Sequence, residues 1–190
     1  MPCSVSNLTR NLINNCRPNG QGLYERLFTV RLADITTVIP DGTTPNLISG
    51  LTLKAGAKLK IWEGFKLSSK KTGGFSSNDY GNLLPQTLQF AVFDNSVEAD
   101  GEINRIVNLT DLVAIYKQNG AFGRWRVLGY PTGLACSNYA DDSNSAELAG
   151  VPILDFTAAQ AREVPQTFRH ETGGLDDTEE YLTGLALAVA

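Results

Sequence analysis

The sequence predicts a mainly β domain, a β-sandwich or barrel-like sheet with one flanking α-helix and extended terminal arms. Three observations carry this expectation. Several segments, Leu23 to Asp34 foremost, alternate apolar and polar residues with period two, as a strand with one buried and one wet face requires. Turn residues such as Pro40-Asp41-Gly42 and Pro131-Thr132-Gly133 separate these segments, because Pro fixes φ and Gly supplies positive φ. Helical spacing with a matching start and stop occurs at one mid-chain place, Thr110 to Gly120.

Composition bounds what the chain can be. Apolar residues make up 42% and charged residues 19%, a balance that supports a packed core and excludes a disordered chain. At 190 residues one domain with arms is expected: an N-terminal arm at 1–22, a β-rich core at 23–168 with a long loop at 68–82, and a C-terminal arm or short helix at 169–190. A net charge of -4 excludes a protein that wraps nucleic acid in a basic surface, since phosphate neutralisation needs clustered Lys and Arg. No basic start leads into an apolar run, and no stretch nears the ~18 apolar residues of a membrane span, so neither an export leader nor a span is expected. The three cysteines, Cys3, Cys16 and Cys136, lack C-x-x-C spacing; reduced buried thiols are expected, with a Cys3 to Cys16 bridge as the alternative.

Taken in order, residues 1–22 are rich in Asn, Pro and Gly and read as a turn-rich arm. Leu23 to Asp34 places Tyr24, Phe28, Val30 and Leu32 on one face, and Ile35 to Ile39 continues it after a kink. Leu47 to Leu53 is a short strand. Leu59, Ile61, Phe65 and Leu67 alternate with Lys58, Lys60 and Lys66, with Trp62 breaking the register. Ser68 to Asn82 reads as a long loop, polar except for Phe75 and Tyr80. Leu83 to Asp94 is a strand, and Thr110-Asp111 caps a short helix through Leu112, Val113, Ile115 and Tyr116 to a stop at Gly120. Phe122 to Tyr130, Leu134 to Tyr139 and Val151 to Phe156 are further strands, the last extended through Phe168. Asp177 and Glu180 stand as in a capping box before Tyr181, Leu182 and Leu185, which predicts a terminal helix. The total is six to nine strands.

No enzyme active site can be assembled from these residues, and no cofactor or metal is expected. The lone histidine, His170, lies in a polar segment and reads as a solvated or interface side chain rather than a general base. Setting Gly101 at the sixth position of a calcium loop leaves Val107 where the bidentate Glu is required, so the acids from Asp94 to Glu102 fail that pattern. Lys70-Lys71 before Gly73-Gly74 lacks the strand-loop-helix setting of a nucleotide site and reads as a solvated loop. Phe75 and Tyr80, with Lys70 and Lys71, are instead candidate subunit-interface residues, because aromatic side chains in a wet loop serve as anchors. The alternative is a hairpin whose aromatics fold back on its own strands.

Late in the chain a strand Gly123-Arg124-Trp125-Arg126-Val127-Leu128-Gly129 is followed by a tight turn into Gly133-Leu134-Ala135-Cys136, a polar loop from Asp141 to Ala146 and a strand from Gly150 to Thr157. This order resembles that of tail tube proteins of long-tailed bacteriophages. The resemblance implies a β-sandwich with a flanking helix that forms a homohexameric ring, stacks into a tube and meets other tail proteins. It further implies that DNA passes through without specific binding, and that the 68–82 loop and terminal segments contact neighbours. Such a protein is assembled in the host cytoplasm and resides in the virion tail. The long lead-in before Leu23 departs from the pattern and leaves open which arm bridges. A head-tail connector, another capsid-associated protein and a β-sandwich binding module are the alternatives.

Overall fold

The computed structural model describes residues 21–44, 46–65, 68–79, 81–120, 123–142, 144 and 150–187. The strands are β1 (Leu23–Arg31), β2 (Ile35–Pro40), β3 (Leu47–Leu53), β4 (Lys60–Glu63), β5 (Lys70–Gly73), β6 (Ser76–Asn78), β7 (Gly81–Leu83), β8 (Gln86–Ala91), β9 (Leu112–Gln118), β10 (Trp125–Leu128), β11 (Ala135–Ala140), β12 (Ile153–Ala158), β13 (Gln166–Phe168), β14 (Glu171–Thr172) and β15 (Leu175–Asp176). Two helices join them, α1 (Val97–Ile106) and α2 (Thr178–Leu187). A seven-stranded sheet runs β2-β3-β13-β10-β9-β1-β4 and a four-stranded sheet β11-β12-β8-β5; β6-β7 and β14-β15 are separate hairpins. The chain is mainly β, as the sequence predicts, but with more and shorter strands than the six to nine expected.

The large sheet is the middle layer. In β1, Leu23 and Leu27 join a core facing the small sheet, while Phe28 and Val30 join a second core on the opposite side. β9 divides likewise, Leu112, Ala114 and Tyr116 to one side and Val113 and Ile115 to the other. Adjacent residues of a strand point to opposite faces, so a strand buried on both has no wet side and loses its alternation. Trp62 belongs to the same scheme. It packs on the first core 5.0 Å from the Phe90 ring and donates its Nε1–H to Thr29 Oγ1 at 2.8 Å, while Ile61 faces the other core.

This double burial overturns the helix expected over Thr110 to Gly120, which is β9. The spacing of Leu112, Val113, Ile115 and Tyr116 fits a helical stripe as well as a two-sided strand, and β-branched Val113 and Ile115 favour the strand. Asp111 caps no helix; its carboxylate accepts from Arg31 Nη2 at 3.2 Å. Gly120 takes φ 110° in the turn that follows β9. The mid-chain helix is α1, inside the acid-rich stretch from Asp94. Ser96 Oγ accepts from the Ala99 N–H at 3.2 Å, Glu98 and Asp100 occupy the positive first turn, and Ile103 and Ile106 insert into the intersheet core.

The stretch 68–82 is also corrected. It is not one loop: Lys70 to Gly73 pair with β8 as the edge of the small sheet, and β6 and β7 form a hairpin beyond it. The extension expected from Val151 through Phe168 is likewise split, β12 lying in the small sheet and β13 in the large one. Between β10 and β11 the chain crosses from the large sheet to the small one at a corner where Leu112 and Leu134 exchange backbone hydrogen bonds of 3.1 and 2.7 Å. Gly133 makes that approach feasible, since with φ 80° a Cβ there would sit 2.7 Å from Thr110 O.

The terminal helix forms as expected. Its Leu182 is fully buried in the second core beside Tyr181 and Leu185, so α2 closes the outer face of the large sheet. The 1–22 arm and the Cys3 and Cys16 pairing lie outside the described residues except for Gln21 and Gly22.

Double burial of β9 has a direct test. Leu112→Ala and Ile115→Ala, which face opposite layers, are each expected to lower unfolding free energy by about 2–5 kcal/mol in denaturant titrations. A loss below ~1 kcal/mol at either position would mean that one face is not packed.

Candidate functional site

The register of β5 separates the two lysines singled out in the sequence. Lys70 lies opposite Gln89 and Lys71 opposite Leu88. Directly opposed residues share a face. Gln89 is on the solvent side, where its Nε2 donates to Asp155 Oδ1 at 2.6 Å; Leu88 is fully buried in the intersheet core. Lys70 therefore faces solvent, and Lys71 points inward. Burial and, secondarily, the Arg126 charge lower the Lys71 pKa.

Beyond β5 the β6-β7 hairpin leaves the body of the domain. Phe75, at its base, is 68% exposed, and Leu83 alone among the described hairpin side chains is buried. Phe75 does not fold back on its own strands. Tyr80 lies outside the described residues. Other large apolar groups stand open on different elements: Tyr139 on edge strand β11, Leu175 on the β14-β15 hairpin and Leu187 at the end of α2. Among the described residues the lateral edges of the two sheets, β2 and β4, β5 and β11, carry no further strand.

The solvent face of the small sheet is a polar ladder. Thr87 and Thr157 hydroxyls meet at 3.1 Å, Ser137 Oγ lies 3.0 Å from Thr157 Oγ1, and Asn138 Nδ2 donates to Asp155 Oδ2 at 3.2 Å. These groups satisfy one another, and Asp155 is held by two amides rather than by a cation.

His170 is engaged elsewhere. Its Nδ1–H donates to Asp177 Oδ1 at 2.7 Å, its ring stacks on Tyr181 at 3.9 Å, and Tyr181 Oη donates to Leu51 O at 2.7 Å. Asp177 Oδ2 accepts from Thr172 Oγ1 at 2.6 Å. The pair Asp177 and Glu180 thus does not act as a capping box; Asp176 Oδ1 takes the Thr178 N–H at 3.1 Å, and Asp177 fastens the β14-β15 hairpin to α2. Among the described residues no hydroxyl or thiol is hydrogen-bonded to the imidazole's second nitrogen. Cys136 is distant in chain and fold, and burial raises its pKa, the reverse of an activated thiol.

Comparison with family models, curated proteins and solved structures finds no match to the chain. The candidate surface therefore stands on its geometry. One further feature is a groove of about 820 Å³ between β4 and α1, lined by apolar Trp62, Val92 and Phe93 and by charged Lys60, Glu98 and Glu102 among others. Among the described residues no cluster of three His, Cys, Asp or Glu side chains could hold a metal ion.

The inward Lys71, and Arg126 facing it, escape sequence reading. Arg126 alternates with Trp125 and Val127, a signal for opposite faces, but nothing in the string says that its own face is enclosed as well.

The Asp177 cluster yields a pH prediction. Hydrogen bonds from Thr172 and then His170 hold the Asp177 pKa below its ordinary 3.8, so its stabilising contribution is complete above that value and is lost as pH falls through the lower folded pKa. Asp177→Asn is expected to flatten the acid limb of thermal stability below about pH 4. An unchanged acid limb would show that this carboxylate does not hold the hairpin.

Proposed function

We propose that the protein is a non-catalytic structural subunit that binds copies of itself, and specifically a phage tail tube subunit that stacks as rings around a DNA channel. The observation that carries this reading is the β6-β7 hairpin. A two-stranded hairpin has no core of its own and is marginal in water. This one stands off the domain with Phe75 exposed. Burying such a ring on a neighbour contributes about 1.5–3 kcal/mol, enough to decide whether a weak contact forms.

Two further features support the reading. The open sheet edges give a neighbour main-chain donors and acceptors. The polar ladder of Thr87, Gln89, Asp155 and Thr157 suits a channel wall, because hydroxyls and amides already bonded to one another offer phosphate little purchase. The resemblance of the segment from Phe122 onward to tail tube proteins supplies the ring and tube. The virion tail is then its place, other tail proteins are its neighbours, and a head-tail connector or another capsid-associated role is the nearest alternative.

The groove beside Trp62 and Phe93 favours a second reading, a monomeric β-sandwich binding module. Oligomeric state separates the two. The purified protein at high concentration is expected to form rings or filaments in negative-stain micrographs; a uniformly monomeric sample would overturn the assembly reading, and rings that never stack would favour the connector. Phe75→Ser is expected to raise the concentration needed for assembly at least tenfold while shifting monomer stability by less than about 0.5 kcal/mol. Deleting residues 70–78 is a poorer test, since it removes the β5 edge of the small sheet.

A further inference from the structure

The space between the two sheets is apolar for most of its extent, yet one end of it carries two cations from opposite layers. Lys71 enters from β5, opposite the buried Leu88. Arg126 enters from β10, opposite the buried Tyr116. Gln86, which pairs with Gly73 and with Ala158, lines the same end and donates its Nε2–H to Glu163 O.

The hydrogen-bond inventory here is incomplete on the cationic side. Arg126 Nη1 donates to Pro165 O at 3.2 Å, but its Nε is enclosed and meets no acceptor. Neither Arg126 nor Lys71 enters an ion pair among the described residues, whereas Arg26, Arg31, Arg105 and Arg169 each do. Glu163, two residues before the Pro165 that Arg126 bonds, points its carbonyl at Gln86 and lies exposed. Tyr116 cannot serve as the counter-charge either, because burial pushes its hydroxyl up to about 12. Two like charges held in a partly desolvated cleft repel each other and favour any anion that can enter.

We propose that this end of the intersheet space is an anion site that takes a small oxyanion, a phosphate or carboxylate group, held between Lys71 Nζ and the Nε edge of Arg126. The guanidinium edge fits two oxygens of one planar or tetrahedral group, and the ammonium adds a compact third donor. Among the described residues β5 is an edge strand of the small sheet, so Lys71 stands at the margin of the intersheet space. An oxyanion could therefore arrive as free phosphate or as an acidic side chain of a neighbouring copy. The free-ion case does not depend on the assembly proposed above.

The test uses the full chain, with inorganic phosphate as the probe. Dilute protein at pH 7 is melted in increasing phosphate against sodium chloride of equal ionic strength. In parallel, acetylation of Lys71 is followed by peptide mass spectrometry in dilute and in concentrated protein. A saturable rise in melting temperature whose apparent affinity falls at least tenfold in both Lys71→Met and Arg126→Lys assigns the free oxyanion. No response to phosphate, with Lys71 acetylation slowed at least fivefold on concentration, assigns the neighbour's carboxylate. Lys71→Met exchanges the ammonium for an apolar end of similar length, and Arg126→Lys keeps the charge but loses the fork, so a folding defect in one leaves the other informative. A phosphate response equal in wild type and both variants, or the absence of both effects, overturns the proposal.

Discussion

Burial of the large sheet on both faces is the constraint from which the rest of the structure follows. β1, β9 and β10 send alternate side chains into two separate cores, one roofed by the small sheet and one by α2. A strand in that position must be apolar at consecutive residues, as Leu112 to Tyr116 are. It also needs cover on both sides, which is why a chain of this size spends β5, β8, β11 and β12 on one layer and its last helix on the other. The stacked rings of Phe90 and Phe156, 5.4 Å apart, fill the first core, and Phe28 against Trp125 at 5.6 Å fills the second.

The layers also set which surfaces are available. Once the two faces of the large sheet are covered, sheet edges, the polar face of the small sheet and the hairpins remain open to solvent. The β6-β7 hairpin continues directly from the edge strand β5, so Phe75 is held close to a rigid element rather than on a free loop. The same strand carries Lys71 toward the interior and Lys70 toward solvent. One short strand thus presents one lysine to solvent and one to the interior, because neighbouring residues in a strand must diverge.

The C-terminal segment shows how polar chemistry is spent on architecture. His170, Thr172 and Asp177 bind a small hairpin to the start of α2, and Tyr181 ties the helix to β3 through both the N–H and the carbonyl of Leu51. A histidine hydrogen-bonded to an aspartate invites a catalytic reading. Here the imidazole lies flat against Tyr181 and the pair functions as a fastening.

How much of this was legible follows from which physical rules act locally. Period-two alternation, Pro-Gly turns and the terminal apolar spacing determined that the chain is mainly β, that Leu47 to Leu53 is a strand and that an arm or short helix follows the core; each depends on neighbours in sequence. The Ser96 cap with Glu98, Asp100, Ile103 and Ile106 was also present to be read, masked by Gly101 and by the acids around it. The identity of β9 was not, since a stripe of apolar residues fits a helix or a two-sided strand equally until the second layer is known. Nor was the direction of Lys71 and Arg126, which their strands fix only to one of two faces. Which of those faces is wet is decided by what packs over it, and that belongs to the tertiary structure alone.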